Sequence, residues 1–161
     1  MLSASVRFLL VCWLAFPLLL NAAPAADQEP RPYQSDLDVN AAIAAALEAG
    51  TSARPLLLIF GANWCPDSRA LEAHFQRAEL AGLLQREFRV LYVDVGTFHR
   101  NLDVAERYGN PIDKGIPSVA LLGADGSLLY TGHGQLAGAK AMSEQEVLDF
   151  FSGLAARQGI E

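Results

Sequence analysis

Cysteine is scarce in this chain, which contains only two cysteines among 161 residues. Cys12 lies in an apolar N-terminal stretch, and Cys65 lies near the middle of the sequence. If that stretch is removed during export, one thiol remains, and one thiol cannot form an internal disulfide. A single cysteine in an exported protein is either reactive or buried and inert. The composition therefore excludes a small fold held together by disulfides.

The chain also lacks an apolar run of transmembrane length. Residues 8–20 are apolar, but a membrane-spanning helix needs roughly 20 such residues, and Pro17 interrupts the run. A basic residue precedes the run, and Ala23 and Ala25 provide the small-x-small pattern of a signal-peptidase site. We therefore predict a signal peptide over residues 1–25, with an uncleaved anchor as the alternative. Cleavage would leave a periplasmic or secreted protein without a membrane attachment.

Basic residues are few, since 12 lysines and arginines stand against 18 aspartates and glutamates, for a net charge of −6. They form no cluster along the sequence, which argues against nucleic acid or anionic lipid as a partner. Residues 26–35 are polar and rich in proline, a composition typical of a flexible leader. Residues 36–161 then suffice for one domain with its own core. The oligomeric state stays open.

Helical and strand patterns alternate along this domain. Strands are predicted at residues 55–60, 88–95, 117–122 and 128–131. Helices are predicted from Asp36 to Gly50, from Pro66 onward with a break near Gly82, from Leu102 to Gly109, and after a capping box formed by Ser143 and Glu146. The first strand is continuously apolar, as in a sheet covered on both faces. Residues 124–127 predict a hairpin turn between the last two strands. The expected class is α/β, with a central mixed sheet of parallel strands and an antiparallel hairpin between helices.

The motif Trp64-Cys65-Pro66-Asp67-Ser68 follows the first strand and begins a helix. A cysteine at a helix N-terminus faces unpaired backbone N–H groups and the helix dipole, and both stabilise a thiolate. Pro66 suits the first helical turn. Trp64 is expected to pack over the motif, and a platform for substrate is its less favoured role. The thiolate is the nucleophile of thiol–disulfide exchange, so Cys65 is the candidate catalytic residue.

Ser68 occupies the position where a dithiol oxidoreductase would carry its second cysteine. An alcohol does not displace sulfur at neutral pH, so Ser68 cannot release a substrate from a mixed disulfide. It could instead donate a hydrogen bond to the Cys65 thiolate. The neighbouring Asp67 opposes the thiolate while Arg69 supports it, and the sequence leaves the balance open.

The order of elements, the Trp-Cys-Pro motif and Gly115-Ile116-Pro117 before the third strand resemble the thioredoxin family. The resemblance covers residues 36–154 and is strongest to the periplasmic thioredoxin-like domains. It implies a thioredoxin fold, with Cys65 as the nucleophile and Pro117 as a cis-proline facing it. No metal or cofactor is expected.

The resemblance also implies a substrate site formed by Trp64, Pro66, Ile116 and Pro117. Dithiol members of the family commonly bury an acid where this chain has Ile59. The apolar residue at that position and the serine in the motif would remove the same half-reaction, the deprotonation and attack of a second thiol.

The predicted topology places two histidines near Cys65. Parallel strands end at one edge of the sheet, so His99 and His133 should lie in loops on the Cys65 side, whereas His74 lies farther along the helix. A Cys–His pair could activate the thiol. The favoured interpretation is that both loop histidines are solvated, with His133 the better candidate for the substrate site.

These features favour an exported monothiol thioredoxin-like protein acting in thiol–disulfide exchange through Cys65. Its partners would be thiols and disulfides of proteins or glutathione, with glutathione or another external thiol as co-substrate. The main alternative is a non-enzymatic binding module that uses the groove around Cys65 and Pro117. A redox sensor is a third hypothesis. A Cys–His hydrolase is disfavoured, because the sequence identifies neither an orienting partner nor an oxyanion hole.

Overall fold

The structure is a computed structural model that describes residues 31–49 and 54–157. In chain order its elements are α1 (Val39–Glu48), β1 (Leu56–Gly61), α2 (Pro66–Phe75), α3 (Ala78–Glu87), β2 (Arg89–Asp94), α4 (Leu102–Arg107), β3 (Ser118–Leu122), β4 (Leu128–Thr131) and α5 (Glu144–Ala156). The signal peptide predicted over residues 1–25 lies outside the described residues. Over the part of the chain that is described, no helix has both the length and the apolar character needed to cross a bilayer.

The strands form one mixed sheet in the order β2-β1-β3-β4. The central strand β1 runs parallel to β2 and antiparallel to β3, and β3 pairs antiparallel with β4. All six residues of β1 are buried, as its continuous apolar sequence predicted. The sheet therefore confirms the predicted combination of parallel strands and an antiparallel hairpin.

Helices cover both faces of the sheet. One apolar layer joins the sheet to α1 and α4, and the other joins it to α2, α3 and α5. Successive side chains of a strand point to opposite faces. Leu58 accordingly belongs to the first layer and Ile59 to the second. This two-sided burial makes β1 the rigid base from which the Trp-Cys-Pro motif emerges.

The helix that follows the motif breaks earlier than predicted. The sequence placed a break near Gly82, but α2 ends at Phe75 and Gly82 lies inside α3. Arg77 has extended backbone angles and forms the N-cap of α3. A glycine within a helix costs only about 1 kcal/mol, an amount that tertiary packing readily offsets. Phe75, the last residue of α2, makes an edge-to-face contact with Phe151 of α5.

Two helix starts show how local hydrogen bonds set the boundaries. The first helix begins at Val39, where the Asp38 side chain caps the Ala41 N–H, rather than at Asp36. The capping box predicted at the last helix is present, with Ser143 and Glu146 exchanging hydrogen bonds.

Residues 31–35 pack against the domain, unlike the flexible leader that the sequence predicted over residues 26–35. Tyr33 is buried, and its ring makes an edge-to-face contact with Tyr92 at 5.4 Å between centroids. Its backbone N–H donates to Asn63 Oδ1 at 3.3 Å, and Asn63 Nδ2 donates to its carbonyl oxygen at 2.7 Å. The segment was predicted to be a flexible leader because most of its residues are proline or polar. Its composition does not show that its one aromatic residue, Tyr33, is buried.

Candidate active site around Cys65

Cys65 is the N-cap residue of α2, directly after the loop that leaves β1. Its backbone N–H donates to the carbonyl of Ala62 at 3.1 Å, which holds the turn, and Pro66 occupies the first helical turn. The thiol is 5% exposed and donates to the carbonyl oxygen of Ile116 at 3.6 Å. The sulfur therefore lies at the helix N-terminus, as the motif predicted.

The Ile116–Pro117 peptide bond is cis and directly precedes β3. Both residues are buried, and the Ile116 carbonyl oxygen accepts the hydrogen bond from the Cys65 thiol. The antiparallel pairing of β3 with β1 brings the beginning of β3 to the end of β1 where the motif starts. The structure thus places Cys65 beside Ile116 and Pro117, the arrangement implied by the family resemblance.

Ser68 is completely buried under the motif rather than turned toward the sulfur. Its Oγ accepts the Ala62 N–H at 3.4 Å, and its hydroxyl shares a hydrogen bond with the Tyr33 phenol. Within residues 31–49 and 54–157, no hydrogen bond joins Ser68 to Cys65. The expected Ser68-to-thiolate bond is therefore not made in this structure, because Tyr33 and the loop backbone engage the hydroxyl.

The buried Tyr33 lies next to Ser68 of the motif. Its burial raises the phenol pKa above the ordinary value, an effect that the hydrogen bond with Ser68 opposes and that the charge of Glu72 reinforces. A Cβ atom on Gly61 would lie 2.3 Å from the Tyr33 Oη and 2.7 Å from the Ser68 Oγ. Glycine at the end of β1 is therefore needed for these two hydroxyl groups to meet.

Glu72 supplies a buried carboxylate that the sequence analysis missed. It lies one turn after Ser68 on α2, and it accepts hydrogen bonds from Tyr92 Oη at 2.5 Å and Gln76 Nε2 at 2.7 Å. Burial, followed by the hydrogen bond to Glu72, raises the pKa of Tyr92. Ile59 is fully buried and apolar, and the buried carboxylates among the described residues are Glu72 on α2 and Asp94 at the end of β2. The four-residue spacing from Ser68 was the signal that could have revealed Glu72.

Trp64 joins the motif to the loop after β2. Its side chain is 52% exposed, and its Nε1 donates to the carbonyl of Gly96 at 2.8 Å. In the same loop, the Nδ1 of the exposed His99 accepts the Thr97 N–H at 3.1 Å. Trp64 therefore lies beside the thiol with part of its ring open to solvent.

The remaining predicted residues lie around this centre. His133 Nδ1 lies 3.5 Å from Asp113 Oδ1, and His74 is half-buried on α2. Asp67 accepts the backbone N–H of Lys140 at 3.0 Å, so its carboxylate anchors the segment before α5. Across the described residues, no histidine is hydrogen-bonded to Cys65, and no group of three His, Cys, Asp or Glu side chains could hold a metal ion.

Comparisons with known proteins agree with this geometry. A family model described as thioredoxin-like matches residues 32–124. A disulphide isomerase from Xylella fastidiosa Temecula1 is 40% identical with a TM-score of 0.75, and the match covers 79% of this chain and 98% of that one. A DsbH oxidoreductase is 19% identical with a TM-score of 0.52, and the match covers 87% of this chain and 97% of that one. No curated protein sequence matches. The chain belongs to the thioredoxin-like family.

Proposed function

We propose that this protein catalyses thiol–disulfide exchange through Cys65 alone. The observation that carries the proposal is the contrast between the two motif positions. The Cys65 sulfur lies at the N-terminus of α2 beside Ile116 and Pro117, while Ser68 is buried and bonded to Ala62 and Tyr33. Cys65 is thus the candidate nucleophile, whereas the Ser68 side chain makes structural hydrogen bonds. The likeness to a disulphide isomerase supports this chemistry in general.

In the first step, the Cys65 thiolate attacks one sulfur of a disulfide. A bond forms between the two sulfurs, the original S–S bond breaks, and the released thiolate takes a proton from solvent. The helix N-terminus stabilises the attacking thiolate with its unpaired N–H groups. The product is a mixed disulfide between Cys65 and one half of the substrate.

A second thiolate must then release Cys65, which is the one cysteine among the described residues. An external thiol such as glutathione, or a second thiol of a protein substrate, attacks the substrate-derived sulfur of the mixed disulfide. A new disulfide forms between the attacking sulfur and that sulfur, and Cys65 leaves as a thiolate. An external thiol gives reduction or deglutathionylation, and a second substrate thiol gives isomerisation. Both outcomes need one nucleophile and no internal disulfide.

The surroundings of Cys65 suit disulfides of peptides and of glutathione. Trp64 and Pro66, the neighbours of Cys65 in the motif, are exposed, and Pro117 follows the Ile116 carbonyl that accepts the thiol hydrogen bond. We also propose that the protein is exported, because the N-terminal sequence has the pattern of a signal peptide and disulfides persist in oxidising compartments.

The test uses a neutral disulfide, hydroxyethyl disulfide, with mass spectrometry to detect the mixed disulfide on Cys65. We expect one adduct, released by added glutathione, and turnover that depends on glutathione. Cys65→Ser should abolish both, which assigns the adduct and the turnover to this thiol. Equal turnover with and without glutathione would contradict the monothiol mechanism.

The same experiment separates exchange from the binding module. If no adduct forms, but the protein and its Cys65→Ser variant bind an extended peptide equally well, the groove acts without redox chemistry. That result would replace the proposal with the binding function.

A further inference from the structure

A cleft of about 470 Å³ opens beside Trp64. Among the described residues, its lining includes three arginines, one histidine and one carboxylate: Arg31, Arg69, Arg100, His99 and Asp94. This composition is the reverse of the chain as a whole, which has a net charge of −6. We call this feature the cationic cleft. Such a cleft raises the local concentration of anions.

The one carboxylate of the cationic cleft is already engaged. Asp94 is 5% exposed, and it accepts hydrogen bonds from Arg100 Nη1 at 2.8 Å and from the Gly96 N–H at 3.1 Å. Arg100 and Asp94 therefore form an ion pair. Arg31 is exposed and brings a further positive charge to the lining.

One wall of the cationic cleft is the loop at residues 96–101, which is held from several sides. Besides the bonds to the Asp94 carboxylate, Asn101 Nδ2 donates to the Asp94 carbonyl at 2.8 Å, and Trp64 Nε1 donates to the Gly96 carbonyl at 2.8 Å. Phe98 and Asn101 both have positive φ angles, of 60° and 53°. Side chains rarely adopt this backbone conformation unless the surroundings impose it. The wall is therefore preorganised.

The opposite wall is provided by residues 31–35. The reciprocal hydrogen bonds between Tyr33 and Asn63 attach this segment to the loop that carries Trp64 and Cys65. Arg31 is thereby placed near the motif by a part of the chain outside the helices and strands. The Nδ1 of His99 accepts the Thr97 N–H, so its Nε2 carries the proton of the neutral ring and can act as a donor.

We propose that the cationic cleft is a carboxylate subsite for the substrate half that becomes attached to Cys65, a proposal that rests on the function proposed above. A guanidinium group binds a carboxylate through two parallel N–H bonds, so the exposed Arg31 matches this ligand in charge and geometry. The carboxylate comes either from glutathione or from an acidic residue next to the cysteine of a peptide. Trp64, which directly precedes Cys65, lines the cleft and donates to the Gly96 carbonyl.

The first experiment measures the rate of mixed-disulfide formation with three small disulfides: oxidised glutathione, which is anionic, hydroxyethyl disulfide, which is neutral, and cystamine, which is cationic. Each rate is divided by that of free cysteine with the same reagent. We expect the order anionic, neutral, cationic, and a preference that weakens with added salt. Equal normalised rates for the three reagents would overturn the subsite while leaving exchange at Cys65 intact.

Arginine variants test whether the preference for the anionic disulfide comes from the cationic cleft. Arg31→Gln should lower the ratio of the oxidised glutathione rate to the hydroxyethyl disulfide rate by about two- to fivefold, the range of one exposed ion pair. Arg86→Gln is the matched control, because it removes the same charge from an exposed residue of α3 that does not line the cleft. An equal fall in both variants would assign the preference to overall charge and overturn the subsite.

A binding experiment tests the subsite independently of exchange. S-methylglutathione is titrated into the Cys65→Ser protein while NMR follows the Trp64 indole N–H signal. We expect a saturable shift that is lost with the dimethyl ester of the ligand and weakened by Arg31→Gln. No shift, or an equal shift with the ester, would overturn the proposal even if Cys65 exchanges disulfides. Peptides with Asp or Asn beside an S-methylated cysteine then show whether acidic peptides share the subsite with glutathione.

Discussion

The Cys65 thiol donates to the carbonyl oxygen of Ile116 at 3.6 Å, across 51 positions of sequence. A carbonyl oxygen accepts hydrogen bonds but cannot donate them, so this contact holds the sulfur only while the sulfur is protonated. Cys65 is the N-cap residue of α2, but its side chain makes no capping hydrogen bond to the helix N–H groups. Loss of the thiol proton would therefore break the hydrogen bond that joins the sulfur to the loop before β3.

Restoring a second thiol provides a direct test of the monothiol character. We expect Ser68→Cys to form an internal disulfide with Cys65, because residues three apart at a helix start lie close together. The reduced variant should reduce one equivalent of a substrate disulfide without glutathione, and its oxidised product should be lighter by two hydrogens. Ser68→Ala is the control, since it loses the same hydroxyl contacts without adding a thiol. A Ser68→Cys protein that retains two free thiols under oxidising conditions would contradict the prediction.

The sequence predicted the elements that depend on local patterns. The continuous apolar run gave β1, the spacing of Ser143 and Glu146 gave the start of α5, and the Trp-Cys-Pro motif placed Cys65 at the beginning of α2. The cis bond at Pro117 came from the family resemblance, because a local pattern carries little information about it.

The features that the sequence did not predict depend on contacts between distant residues. Ser68 shares a hydrogen bond with Tyr33. The loop whose Gly96 carbonyl accepts the Trp64 N–H is itself held by the Asp94 carboxylate, and the sequence pattern shows Asp94 only as the end of a strand. The predicted break near Gly82 was wrong, since α2 ends at Phe75, whose ring packs on Phe151 of the last helix. A single sequence shows the types of these side chains but not which of them meet.

The attachment of the N-terminal segment can be tested at Asn63. We expect Asn63→Ala to release residues 31–35, because the change removes both hydrogen bonds to the Tyr33 backbone. Hydrogen exchange at the Tyr33 amide should accelerate, and the free energy of unfolding should fall by about 1–3 kcal/mol. Asn63→Asp is the graded control, since it retains the acceptor for the Tyr33 N–H but loses the donor to the Tyr33 carbonyl. Unchanged exchange in Asn63→Ala would show that the Tyr33 ring alone holds the segment.

The close approach of two hydroxyl groups over Gly61 predicts a position that accepts no side chain. Gly61→Ala should displace Tyr33 from Ser68 and lower the free energy of unfolding by about 1–3 kcal/mol, because a Cβ atom would lie 2.3 Å from the Tyr33 Oη. Gly153→Ala in α5 is the matched control. A Cβ atom there meets no atom within 4 Å, and alanine in a helix interior should stabilise by about 0.5–1 kcal/mol. Equal effects in denaturant titrations of the two variants would contradict the steric argument.

The buried tyrosines predict a loss of stability at alkaline pH. The pKa values of Tyr33 and Tyr92 are raised in the folded protein, chiefly by burial, whereas an unfolded tyrosine titrates near its ordinary pKa of about 10. Above that pH the unfolded chain releases protons that the folded protein retains. Ionisation then favours unfolding, so the stabilisation is complete below about pH 10 and is lost as the pH rises toward the folded values.

Each tyrosine should contribute a slope of about 1.4 kcal/mol per pH unit to this loss. Tyr33→Phe removes one titrating group, so its free energy of unfolding should fall less steeply between pH 10 and 11, by about that amount. At neutral pH the same variant should be less stable by about 1 kcal/mol, because Ser68 loses its partner. Tyr92→Phe should flatten the slope in the same way, and the double variant should flatten it twice as much. Urea titrations across this pH range measure all four proteins, and a Tyr33→Phe slope equal to that of the unaltered chain would show that the Tyr33 phenol ionises as easily in the folded state as in the unfolded one.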